Sequence, residues 1–186
     1  MPETPPYDLL AAQLWPQGER RNIWMIVDCA RSEQVWSTIY ASTLLRECLY
    51  TGALHPTLER AAPYLVQLEL GDRHTIRLLD RGWGQSWGIF LRAGMSMHSL
   101  RRHLRKYLRV MGPGGKPLVF RYYDPRVMRV FLPTCSASQL DQVFGPIECI
   151  FAEDASPSQL LEFKINATRQ RLETREISLA PPKATV

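Results

Sequence analysis

The run Ile23-Trp24-Met25-Ile26-Val27-Asp28-Cys29-Ala30 constrains this chain more than any other stretch. It has strand length and is apolar at nearly every position. Continuous rather than alternating apolarity predicts a strand covered on both faces, hence an interior strand of an α/β sheet. Asp28 stands at its C-terminal end, the edge where open α/β sheets often carry function. Capping or local pairing is the plainer role for that carboxylate.

Other segments supply the sheet's neighbours. Pro63–Leu70 starts with a proline, which suits a strand's first residue, and Trp87–Arg92 reads as a further strand. Ser32 is positioned to cap a helix over Glu33–Arg46. Asp72 is positioned to cap one over Arg73–Arg81, closed by Gly82. Ser136 with Gln139 is a capping-box pattern, and Gly145-Pro146 ends that helix before a strand over Ile147–Phe151. Upstream of residue 23, Leu9–Trp15 predicts a short amphipathic helix ended by Pro16 and Gly18. Downstream, Ser156 and Gln159 offer another capping box. Leu160, Leu161, Lys164, Ile165, Thr168 and Leu172 form a stripe on a helix reaching about Arg175.

These boundaries divide the chain into an N-terminal arm (1–22), an α/β domain (23–153) and a helical C-terminal extension with a flexible tail (154–186). The expected architecture is a mixed β-sheet flanked by helices.

The most basic helix begins at Met97, capped by Ser96, and runs at most to Leu108. Met97, Leu100, Leu104 and Leu108 form its buried stripe. Arg101, Arg102, Arg105, Lys106 and Arg109 occupy the remaining surface, either as a solvated face or as a docking face for an acidic partner. The net charge of +5 points the same way. Two strand-like runs around Gly112-Pro113-Gly114-Gly115-Lys116 then predict a β-hairpin.

The hairpin leads into Phe120-Arg121-Tyr122-Tyr123-Asp124-Pro125-Arg126-Val127. Here a strand over Leu118–Tyr123 passes into a helix over Arg126–Leu132 with Val127, Val130 and Phe131 inward. Asp124 fits the N-cap and Pro125 the first helical position. Arg121 and Arg126 flank Asp124 closely enough to pair with it. The reading is a charge-satisfied structural joint made by Arg121, Asp124, Pro125 and Arg126.

Sought chemistry is sparse. Four cysteines stand far apart with no CxxC, reading as buried thiols in a reducing compartment. The histidines form no HxxxH or HExxH pattern, so no metal or cofactor is expected. No GxSxG elbow is present. Asp28, Asp80 and Asp124 leave open a hydrolase, with Asp28 and Asp124 as its carboxylates. The basic helix leaves open a nucleic-acid-binding module without a recognised motif. No apolar run approaches a membrane span, and Met1–Pro6 lacks the basic start of a signal peptide. A cytoplasmic protein is expected.

The ordered set Ile26–Arg31, Ala62–Val66, Trp87–Leu91, Leu100–Arg105, Phe120–Val127 and Leu140–Pro146 resembles the type VI secretion adaptor or effector-chaperone family, long described only as a domain of unknown function. The likeness covers about residues 23–153, and Phe120–Arg126 is its most specific part. It implies a bacterial cytoplasmic protein without catalytic activity. Such a protein holds a toxic effector and loads it onto the VgrG spike. Many family members carry a longer helical C-terminal lobe. The likeness therefore implies a smaller effector-holding surface here, or one that uses the 156–175 helix.

Overall fold

The computed structural model describes residues 7–16 and 21–179. The expected flexible tail at 180–186 and the terminator Gly18 lie outside them. In chain order the elements are α1 (Tyr7–Leu14), β1 (Ile23–Asp28), α2 (Glu33–Tyr40), β2 (Arg46–Cys48), α3 (Pro56–Arg60), β3 (Pro63–Leu68), α4 (Arg73–Gly82) and β4 (Gly88–Arg92). There follow α5 (Met97–Leu104), β5 (Arg109–Met111), β6 (Pro117–Val119), α6 (Pro125–Thr134), α7 (Ala137–Phe144), β7 (Cys149–Glu153), β8 (Gln159–Ile165) and β9 (Leu172–Ser178).

Seven strands form one sheet in the order β2-β3-β1-β4-β7-β8-β9. The α/β architecture with helices on the sheet is the expected one. Every pairing within it is antiparallel. The apolarity of β1 therefore reports two-sided burial and says nothing of strand direction.

That burial is explicit. Ile23, Met25 and Val27 join one core cluster with Leu10 and Leu14 of α1, Val35 and Ile39 of α2, and Leu78 and Leu79 of α4. Trp24 and Ile26 join the other, with Leu100 and Leu104 of α5, Met128 and Leu132 of α6, and Leu140 and Phe144 of α7. Alternate side chains of one strand thus enter two different cores. At about 1.5–3 kcal/mol for each fully buried large apolar side chain, β1 is the fold's strongest anchor.

Several caps match their sequence signals. Asp72 accepts from the N–H groups of His74 and Thr75. Ser96 accepts from Ser99. Ser136 and Gln139 make both bonds of the capping box.

Four expectations are corrected. The helix begun at Glu33 ends at Tyr40 rather than Arg46, because Arg46–Cys48 pairs with Val66–Tyr64 at the sheet edge. Ser32 makes no side-chain cap bond there. The strand expected over Leu118–Tyr123 stops at Val119. Arg121–Asp124 is a turn, with Asp124 N–H donating to the Arg121 carbonyl at 3.0 Å. In α6 the fully buried residues are Pro125, Met128 and Leu132, while the expected Phe131 packs half-buried against the same core and Val127 is half-buried. Val130 points to solvent, and Pro133 sits inside the last turn.

The largest correction is the C-terminal segment, which is a β-hairpin and not a helix. Leu160, Leu161 and Ile165 satisfy helical and strand periods alike. Asn166 breaks the tie: its side-chain oxygen accepts from Gln170 and Arg171 N–H, and Arg169 takes φ +56°. Such an Asx-held turn reverses the chain. β7 would otherwise present an open edge beside Phe151. The helical extension assigned to 154–186 is in its described part the last two strands of the same sheet.

Candidate functional site

Two regions contain the residues singled out in the sequence. The first is a charged cluster at the end of the sheet where β1 stops. Asp28 is fully buried and caps a short 3₁₀ turn by accepting from Ala30 N–H at 3.1 Å. Its other oxygen accepts from Arg121, whose Nε lies 3.1 Å away and whose Nη2 also donates. Arg121 therefore pairs with Asp28 and not with Asp124 as expected.

Asp124 is held by Arg126 alone, with Nε donating to Oδ1 at 3.0 Å and Nη2 to Oδ2 at 2.6 Å. It also accepts from Arg126 N–H at 3.0 Å, the expected N-cap bond, and Pro125 opens the helix as expected. Burial works to raise the Asp124 carboxyl. The hydrogen bonds and charge of Arg126 outweigh it and hold that carboxyl below its usual range.

Glu153 ends β7 in the same region. Its carboxylate accepts from Ser86 N–H at 3.1 Å, and Arg129 donates to its carbonyl at 2.7 Å. Burial pushes the Glu153 carboxyl up to about 7, against the lowering pull of the Ser86 and Gly84 N–H groups and of Arg129. Asp80, the third aspartate considered, is exposed on α4 in the layer across the sheet from α6. Asp28 and Asp124 are each committed to an arginine and a cap. Among the described residues no group of His, Cys, Asp or Glu is arranged to hold a metal ion.

The second region follows the basic helix. The five cations expected on one face have different surroundings. Arg101 is a tie: Nε donates to the Cys48 carbonyl at 2.6 Å, Nη2 to the Tyr50 carbonyl at 3.0 Å, and Nε lies 3.2 Å from a Glu47 carboxylate oxygen. It fixes α5 to β2 and the loop that follows. Arg105 donates to Thr51 Oγ1 at 2.9 Å. Arg102, Lys106 and Arg109 are exposed.

Arg105, Lys106 and Arg109 line a groove of about 500 Å³, whose apolar walls include Leu54, Leu58, Leu108 and Val119. The hairpin β5–β6 forms its own two-stranded sheet and is exposed at every strand position. Val110, Met111, Leu118 and Val119 are all among the exposed large apolar residues. His103, beside this face, is buried and contacts the Val143 carbonyl at 2.9 Å through Nε2. Burial lowers its pKa; the Val143 contact pulls the other way, and Lys106 adds to the lowering.

Sequence reading placed the cations but missed the apolar half of this groove. Leu54 and Leu58 lie in a loop and a short helix without periodicity. The signal in the hairpin was its length: strands that short, with Val, Met and Leu, have little sheet to bury them.

The sequence profile of a family described as Domain of unknown function (DUF4123) matches residues 23–142, well over half of the 186. The chain belongs to the DUF4123 family. No curated protein and no solved structure matches it. The DUF4123 match begins with β1 and takes in the basic helix, the hairpin, the Asp124 turn and α6. It stops within α7, before the last three strands of the sheet. No described helix is long and apolar enough to cross a membrane.

Proposed function

We propose that this DUF4123 protein is a type VI secretion adaptor that binds a toxic effector in the bacterial cytoplasm and delivers it to the VgrG spike. The ordered likeness over residues 23–153 motivates the family's role. The observation that carries a binding function is the exposed apolar hairpin beside the cation-lined groove. A hairpin exposing Val110, Met111, Leu118 and Val119 while contributing little to either core is costly unless another surface covers it. On this reading the protein is not an enzyme, and the Asp28, Arg121, Asp124 and Arg126 cluster is structural: it fixes the turn that joins the hairpin to α6.

Co-purification of the tagged protein with the products of the adjacent effector and spike genes tests the proposal. Capture of both supports it. Failure to capture either from cells expressing all three overturns it. The hydrolase alternative requires Asp28→Asn to abolish an activity while leaving folding intact. The nucleic-acid alternative requires steeply salt-dependent binding to generic DNA or RNA.

A further inference from the structure

The groove has chemistry specific enough to describe its occupant. Three cationic side chains and no carboxylate line it. The apolar part is mainly aliphatic, with Tyr50 its one aromatic side chain and with Leu58 and Val119 both exposed to solvent. The hairpin register sets Arg109 opposite Val119 and Met111 opposite Pro117. Period-two alternation places these four on one face, so the face that meets the groove combines a cation with Met111 and Val119. Arg105 adds an Nε that is buried with no hydrogen-bond partner among the described residues.

We propose that this groove receives a partner-protein segment in which apolar side chains alternate with carboxylates, the apolar ones packing on Leu54, Leu58 and Val119 and the carboxylates pairing with Lys106, Arg109 and Arg105. The proposal rests on the adaptor reading for the identity of the partner, which is the effector, but not for the chemistry of the segment. Nucleic acid fits less well. It calls for aromatic platforms along a continuous basic track, whereas aliphatic side chains dominate the apolar lining here. Charge complementarity also sets partner choice and encounter rate more than it sets final affinity, which suits a carrier that must release its cargo.

The test is fluorescence anisotropy of the full chain with a short fluorescein-labelled peptide alternating leucine and glutamate. The matching leucine–lysine peptide and a labelled DNA oligonucleotide serve as controls. The expected result is saturable binding of the acidic peptide alone. Lys106→Glu with Arg109→Glu should weaken it about tenfold or more, and Val119→Ser severalfold at unchanged salt. All three positions are exposed, and a urea midpoint equal to that of the unchanged protein verifies folding. Equal binding of both peptides, tighter binding of DNA, or no effect of either variant overturns the proposal. So does a groove closed by a second copy, seen as a dimer that the same variants dissociate.

No effector enters this measurement. Peptide binding with failed effector capture would reject the adaptor reading alone. Effector capture unaffected by the variants would reject the groove alone.

Discussion

Arg121 reaches back across 93 residues to the buried carboxylate of Asp28 and joins the turn after the hairpin to the end of the central strand. Local spacing pointed Arg121 at Asp124, three residues away. The turn instead directs its side chain into the sheet, and Asp124 takes Arg126. Two ion pairs therefore hold one joint, one of them long-range and one within a helical turn.

Removing Arg121 takes the ion-pair partner from the buried Asp28 side chain. Breaking a fully buried pair costs about 3–5 kcal/mol. The Arg121 side chain is 39% exposed, so water screens part of that loss. Arg121→Ala should destabilise by about 2–3 kcal/mol, and Asp28→Asn, which keeps the cap on Ala30, by less. Urea midpoints read both. Equal and negligible losses would reject the structural role.

Asp124 acts with a definite pH sign. Its folded pKa is lowered, so the stability it contributes is present above the unfolded carboxylate value of about 3.9 and is lost as pH falls through the folded value. Asp124→Ala should cost about 0.5–2 kcal/mol near neutrality through the lost cap. Asp124→Asn keeps a capping oxygen but loses the pairing with Arg126. Its deficit should shrink as pH drops below about 4, seen in paired denaturation curves.

Glu153 has the opposite sign. Its folded pKa of about 7 stands above the unfolded value of about 4.3. The stability linked to this group is full below about pH 4 and is lost as pH rises through 7. The whole effect is on the order of 4 kcal/mol, from about 1.4 kcal/mol per unit. Glu153→Gln is neutral throughout and still offers an acceptor to Ser86 N–H, whose residue sits at φ +54°. The variant should match the unchanged protein below about pH 4, gain on it as pH rises toward 7, and exceed it by the full amount above about pH 8. Taking differences between the two proteins removes what other titrating groups contribute to both. A parallel pH profile would show that Glu153 is ionised in the folded state.

The sheet's interior and most helix starts were legible because single residues carry them. Asp72, Ser96, Asp124 and Ser136 each cap where their spacing indicated. Strand direction was not legible, since two-sided burial of β1 looks alike in parallel and antiparallel sheets. Nor was the C-terminal hairpin. Leu160, Leu161 and Ile165 suit either period, and the decision fell to Asn166 and to the edge that β7 offers. In the candidate groove the cations were visible because they cluster on one helix. Its apolar lining was not, because Leu54, Leu58 and Val119 come together only in the fold.

Gly88 is a position where only hydrogen fits. A Cβ there would lie 1.9 Å from the Ile26 carbonyl oxygen, at the Val27–Gly88 end of the β1–β4 pairing. Gly88→Ala should separate the two central strands and cost about 4 kcal/mol or more, an exceptional value for one methyl group. Gly71→Ala is the comparison, because nothing lies within 4 Å of its Cβ and only its φ of +77° opposes the change. A loss of about 1 kcal/mol is expected there. Similar losses at both sites would mean that β4 can shift to accept a side chain.

The family match ends at residue 142, yet the sheet does not. β7 continues it from β4, and β8 and β9 complete it. Phe144, Phe151 and Phe163 are among the largest fully buried side chains, and all three lie beyond the match. Each contributes about 1.5–3 kcal/mol of burial, together comparable to the whole net stability of an ordinary domain. A chain ending at Gln142 would also leave β4 with an open, strongly apolar edge, a template for aggregation. That truncated protein should be insoluble or should unfold without a cooperative transition, whereas the full chain should unfold in one step. A sharp two-state transition for the truncated chain, measured by calorimetry, would show that the matched segment folds alone and that the last three strands are an accessory layer.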